Sequence, residues 1–147
     1  MAGKSDGYEY DFLRMTFAGK PITTISVTGG TTLIWMALCT ADPGDAGSTA
    51  NEGGYAAYAR ASVDRSTGGW TVTSGTSAAV ATASPTTALN FPQVATTSTG
   101  TFTFAVAYPS SNSVASAALY FGPISPTINF AQNVTPQLTT GSSVTED

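Results

Sequence analysis

Between Ser66 and Thr145 the chain runs for 80 residues without one Asp, Glu, Lys, Arg or His. About a quarter of an ordinary soluble domain is charged, and sheet-rich proteins use those charges to stay soluble and to keep strand edges from pairing with other chains. Here hydroxyl groups take that place. Ala, Ser and Thr supply 63 of the 147 residues, short side chains that lose little rotamer entropy on ordering and suit close packing. A surface of this kind is expected to be covered by copies of itself or by a larger assembly, which points to a structural or interaction protein and away from an enzyme.

Length and aromatic content favour a folded domain. A chain of 147 residues fits one domain and can bury roughly two thirds of the surface it exposes when unfolded. Seven Phe, six Tyr and two Trp are too many for a disordered segment. The net charge is −4, and the five basic residues Lys4, Arg14, Lys20, Arg60 and Arg65 are scattered, so no patch for direct nucleic-acid binding is expected. No apolar run reaches the ~20 residues needed to span a bilayer, and the polar start with Asp6, Glu9 and Asp11 does not read as a signal peptide. Synthesis in a cytoplasm is expected.

Two structural regimes follow one another. Residues 5–19 read as a helix, with Ser5 or Asp6 as cap and Gly19 and Pro21 as stop signals. Tyr8, Phe12, Met15 and Phe17 give it an apolar stripe wider than a single seam. Residues 1–21 are therefore read as a helical arm that attaches to a neighbour. From 22 to 147 the pattern is that of strands. Thr31 to Cys39 is a near-continuous apolar run between glycines and Asp42-Pro43-Gly44-Asp45, as in a buried central strand. Tyr58 to Asp64 alternates with Arg60, Ser62 and Asp64 on one face. Thr101 to Tyr108 alternates so that Phe102, Phe104, Val106 and Tyr108 share a face. Trp70 to Val72, Ala117 to Phe121, Thr127 to Phe130 and Gln137 to Thr139 are shorter strands. This spacing predicts a mainly β fold, a single β-sandwich or jelly roll with one N-terminal helix. Trp35, Leu38, Val63, Trp70, Phe91, Phe102, Phe104, Val106, Leu119 and Phe121 are its expected core.

Candidate chemistry is sparse. Without His, imidazole catalysis and most transition-metal sites are excluded. Cys39 is the one cysteine, so no internal disulfide forms, and its apolar run predicts a buried, inert thiol. Ala2-Gly3-Lys4-Ser5 lacks the first glycine of a phosphate loop. Asp42 and Asp45 are the weak metal candidates, since their loop is able to wrap a hard cation, although turn chemistry alone accounts for Asp-Pro-Gly-Asp. Asp42 and Glu52 are the one carboxylate pair available for the cleft of a glycan hydrolase. No enzyme and no cofactor are expected.

The order of motifs adds a resemblance. The run Leu33 to Gly47 contains Thr40-Ala41-Asp42-Pro43-Gly44, followed by Asn51-Glu52, Tyr58-Ala59-Arg60, Gly69 to Val72, Phe91-Pro92 and a final Val144 to Asp147. This resembles a family of small tailed-bacteriophage virion proteins labelled tail fibre or head decoration proteins. The resemblance implies a virion component made in the host bacterial cytoplasm. Its leading implication is a capsid cement protein on the outer surface of the head, joined to the major capsid protein and to copies of itself as a dimer or trimer. The alternative is a tail fibre, tail-tip or head-fibre module for host-surface recognition, with tyrosines such as Tyr8, Tyr10, Tyr55, Tyr58, Tyr108 and Tyr120 as platforms for glycans. Tyr8, Phe12, Met15, Phe17, Tyr55 and Tyr58 are the expected interface residues. The chain shows neither the heptads nor the shaft repeats of a long fibre.

Overall fold

The computed structural model describes residues 3–4, 33–45, 47–73, 81–111 and 118–146. They form ten strands: β1 (Gly3–Lys4), β2 (Leu33–Cys39), β3 (Ala61–Asp64), β4 (Trp70–Thr73), β5 (Ala81–Pro85), β6 (Leu89–Asn90), β7 (Gly100–Tyr108), β8 (Tyr120–Phe130), β9 (Gln137–Leu138) and β10 (Val144–Glu146). The expected mainly β class holds, and no helix occurs among the described residues. The helix read over residues 5–19 lies outside them. Every strand pairing is antiparallel, in a five-stranded sheet of order β1-β8-β7-β2-β3, a three-stranded sheet β10-β5-β4 and a two-stranded pair β6-β9.

β2 and β7 lie at the centre of the large sheet, which is why their sequences carry apolar residues on both faces. On one face Met36 and Leu38 join Phe102, Ala107, Leu119 and Phe130 in the larger core cluster, which also takes in Tyr55, Val63, Leu89, Phe91, Val94 and Leu138. On the other face Ala37 and Cys39 pack with Val106, Tyr108, Ala118 and Phe121. Of the expected core, Leu38, Val63, Phe91, Phe102, Val106, Leu119 and Phe121 are buried. Trp35, Trp70 and Phe104 are half-buried, at the margins of the clusters.

Two sequence expectations fail here for one reason. The alternation of Thr101 to Tyr108 predicts a shared face for Phe102, Phe104, Val106 and Tyr108. Instead Phe102 belongs to one cluster and the other three to the opposite one. The register against β8 jumps between Phe102, opposite Ile128, and Phe104, opposite Pro123. Residues 124–127 bulge out of the ladder, and such an irregularity re-aims the side chains on either side of it. The same bulge merges the two short strands expected at Ala117 to Phe121 and Thr127 to Phe130 into the single eleven-residue β8. Pro123 and Pro126 are tolerated because β1 pairs with β8 only at Tyr120 and Phe121. Beyond that point, among the described residues, β8 pairs on one side only, where a missing N–H costs least.

Candidate functional site

The loop from Thr40 to Arg60 leaves the end of β2 and returns to start β3, and its backbone is tied to the sheet at several points. Thr40 N–H donates to Asn51 O at 2.9 Å and Gly53 N–H to Leu38 O at 3.0 Å, and Glu52 forms an isolated bridge with Cys39. Gly53 has φ +77°, and a Cβ there would stand 2.9 Å from the Tyr58 ring. Only glycine meets both demands without strain. Gly47, at φ +63°, is similarly crowded by Ala118.

This closure delivers Glu52 to Arg60. The guanidinium donates from Nε to Oε1 at 2.8 Å and from Nη2 to Oε2 at 2.7 Å, a bidentate fork. Nη1 donates to the carbonyl of Ser110 at 3.0 Å, and the guanidinium carbon stands 3.7 Å from the centroid of the Tyr108 ring. The two side chains are only 3% and 8% exposed. Burial opposes a charged guanidinium, yet the Glu52 carboxylate more than offsets this and holds the Arg60 pKa above its ordinary value. The alternation of Tyr58 to Asp64 predicts Arg60 on the same outward face as Ser62 and Asp64. The structure corrects this: β3 begins only at Ala61, and Arg60, one residue before it, turns inward.

Around this ion pair the aromatic hydroxyls are spent on backbone. The Tyr58 hydroxyl accepts from Leu38 N–H at 2.8 Å, Tyr55 donates to Pro92 O at 2.6 Å, and Tyr108 donates to Gly47 O at 3.2 Å. Tyr58 stacks on Phe91 at 6.1 Å and meets Tyr55 edge-on at 5.6 Å. Tyr55 leans on Phe130 at 5.6 Å, and Phe130 on Phe102 at 4.6 Å. Burial pushes the Cys39 thiol up to about 12, the nearby Glu52 carboxylate adding to it. Burial likewise pushes the Tyr108 phenol up to about 12 and raises the Tyr55 and Tyr58 phenols.

The family described as Podophage GP4 fiber I protein gp80 matches the chain over residues 5–145. The chain belongs to this fiber I family. No match was found among curated proteins. In this fiber I chain, Asn51-Glu52, Tyr58-Ala59-Arg60 and Phe91-Pro92, which stand apart in the sequence, converge on one inward-facing knot. Tyr55 is buried and Tyr58 half-buried, whereas Tyr8, Phe12, Met15 and Phe17 lie outside the described residues. Asp42 and Asp45 are exposed. Asp42 Oδ1 accepts from Gly44 N–H at 2.8 Å, and the Pro43 and Gly44 carbonyls accept from Ser48 and Gly47. Turn chemistry closes this loop on itself. Among the described residues no three His, Cys, Asp or Glu side chains are gathered as a metal ion needs. Glu52, the other member of the weighed carboxylate pair, faces Arg60 and not a cleft.

Among the described residues of the fiber I chain, an open groove of about 560 Å³ lies between the large sheet and the three-stranded one. Ile34 and Tyr120 line one side, Trp70, Val72, Ala83 and Val144 the other. Val72, Ala83 and Val144 are register neighbours across β4, β5 and β10, so they form one apolar row. Trp70 Nε1 is buried with no acceptor among the described residues. The sequence named Trp70 but not this row, because β5 and β10 have no apolar run to announce them.

Proposed function

We propose that this chain is a non-enzymatic, virion-borne fibre component of a podophage, a compact β module that connects to the particle and to copies of itself. The observation that carries the reading is the match to a phage fibre family across nearly the whole chain. The inward use of the reactive side chains supports it. Glu52 and Arg60 neutralise each other, the thiol is buried, and three tyrosine hydroxyls hold backbone. The exterior offers shape, hydroxyls and apolar strand surface instead. The five- and three-stranded sheets, facing each other across the groove, are the two layers of a sandwich in this reading. The helix expected over residues 5–19 serves as its attachment arm on the same reading, with Gly3 and Lys4 paired to β8 in the large sheet.

Capsid cement on the outer surface of the head, bound to the major capsid protein, is the second reading. It is favoured by the absence of heptads and shaft repeats in the sequence and by the uncharged 80 residues, which suit burial against a lattice. Particles lacking the protein separate the two. On the fibre reading antibody labels the tail, and depleted particles keep their DNA but adsorb poorly to host cells. Antibody on the head, with depleted particles that adsorb normally but release DNA at lower temperature, would replace the first reading by the second.

A further inference from the structure

The four edges of the two larger sheets are unequally protected. Edge strands commonly carry charge or proline, which blocks pairing with a second chain. In the five-stranded sheet β1 contains Lys4 and β3 contains Asp64, and in the three-stranded sheet β10 contains Glu146. Where β8 loses its partner on one side, Pro123 and Pro126 follow. β4, Trp70–Thr73, has neither charge nor proline. Its register with β5 is continuous from Trp70 opposite Pro85 to Thr73 opposite Thr82, so no bulge twists it away. Among the described residues it pairs with β5 alone. Val72 is 73% exposed, far more than Val134 at 39%.

We infer that the free edge of β4 pairs antiparallel with β4 of a second copy of this chain, about a two-fold axis through Val72. The sequence of the edge is self-complementary. Thr71-Val72-Thr73 reads the same in both directions, so the axis sets Val72 against Val72 and Thr71 against Thr73 of the other copy. Thr–Thr and β-branched pairs are favourable cross-strand neighbours, and like charges directly opposite are not. An isologous contact brings every residue near its own copy. Only an uncharged edge accepts that arrangement freely, and β4 is that edge. Pairing makes a six-stranded sheet and carries the row Val144–Ala83–Val72 across the axis into the same row of the second copy. Val72, the most exposed large hydrophobic side chain among the described residues, is thereby covered. The inference goes beyond the proposed function, because it holds whether the module sits on tail or head.

The test uses the full chain. Light scattering should give a mass of an even multiple of the 14.9 kDa chain. Val72→Lys places two ammonium groups across the axis and should halve that mass, raising the dissociation constant at least roughly tenfold. Its circular dichroism should be unchanged, because the side chain is exposed, while its melting midpoint should no longer depend on protein concentration. Val134→Lys, the control, should leave the mass as it was. Val72→Cys, combined with Cys39→Ala, should give a disulfide-linked dimer on mild oxidation, since directly opposed residues approach to ~4.5 Å between Cβ atoms, closer in non-hydrogen-bonded pairs, near the ~3.5–4.5 Å that a disulfide spans. A monomeric parent, a mass that Val72→Lys leaves intact, or a Val72→Cys variant that stays unlinked would each overturn the inference.

Discussion

Replacing Arg60 by alanine tests whether the ion pair is what holds the loop between β2 and β3 against the sheet. The change removes both bonds to Glu52, the bond to Ser110 O and the contact with Tyr108. The charge-assisted bond to Ser110 O contributes about 1.5–3 kcal/mol, and a desolvated guanidinium over an aromatic ring about 2 kcal/mol. The greater cost is the carboxylate left behind. Glu52 is 8% exposed, and removing one partner of a buried pair costs about 3–5 kcal/mol because the other charge is stranded. These figures overlap, so about 3–5 kcal/mol is the expected loss. In a protein of this size that lowers the melting midpoint by about 6–20 °C. Glu52→Ala should cost a similar amount, by stranding the guanidinium. The double variant strands nothing and should lie within about 1 kcal/mol of the worse single, a coupling that urea titration of all four proteins measures directly. Single variants each costing under about 0.5 kcal/mol, or costs that simply add in the double, would refute the reasoning.

Gly53→Ala should destabilise by at least about 1–2 kcal/mol, since a left-handed backbone penalises any Cβ and this one meets the Tyr58 ring; thermal melts read the loss, and an unchanged midpoint would count against the loop closure. Tyr58→Phe should cost about 1–3 kcal/mol by leaving Leu38 N–H buried without its acceptor, measured by urea titration. The Cys39 and Tyr108 groups have folded-state pKa values above their ordinary 9.0 and 10.0, so the unfolded chain gives up protons that the folded one keeps. Stability should therefore be full below about pH 9 and fall as pH rises towards 12. Cys39→Ala should move the start of that fall to about pH 10, where tyrosines begin to ionise, as urea midpoints at successive pH values will show.

How much of this was legible from residues alone depended on whether the deciding contacts were local. Leu33 to Cys39 and Thr101 to Tyr108 announce strands because burial on a sheet imposes its period directly. β8 resists that reading because Gly122-Pro123 and Ser125-Pro126 ordinarily end a strand. They persist here only because the ladder bulges and one side lacks a partner, which is a property of the sheet and not of the segment. Arg60 joins the face of Ser62 and Asp64 only if alternation extends one residue before the true start of β3. Its partner Glu52 was visible as an acid and its role was not, since the pairing follows from loop closure through Gly53 and Leu38. One signal was available. In a chain with five cations, an Arg flanked by Tyr58-Ala59 and Ala61 has surroundings too apolar for an ordinary solvated side chain.

The long uncharged stretch also sets how this protein meets other molecules. Ion atmosphere and long-range fields act on charges, and β4, β5, β7 and β8 present none. Encounters through such faces are unsteered, so association proceeds at about 10⁵–10⁶ M⁻¹s⁻¹, the range for neutral partners. Attachment strength then resides in slow departure and not in fast arrival. A joint made this way holds equally well in dilute water and in brine, a useful property for a particle that leaves one cell with no control over the medium it enters next.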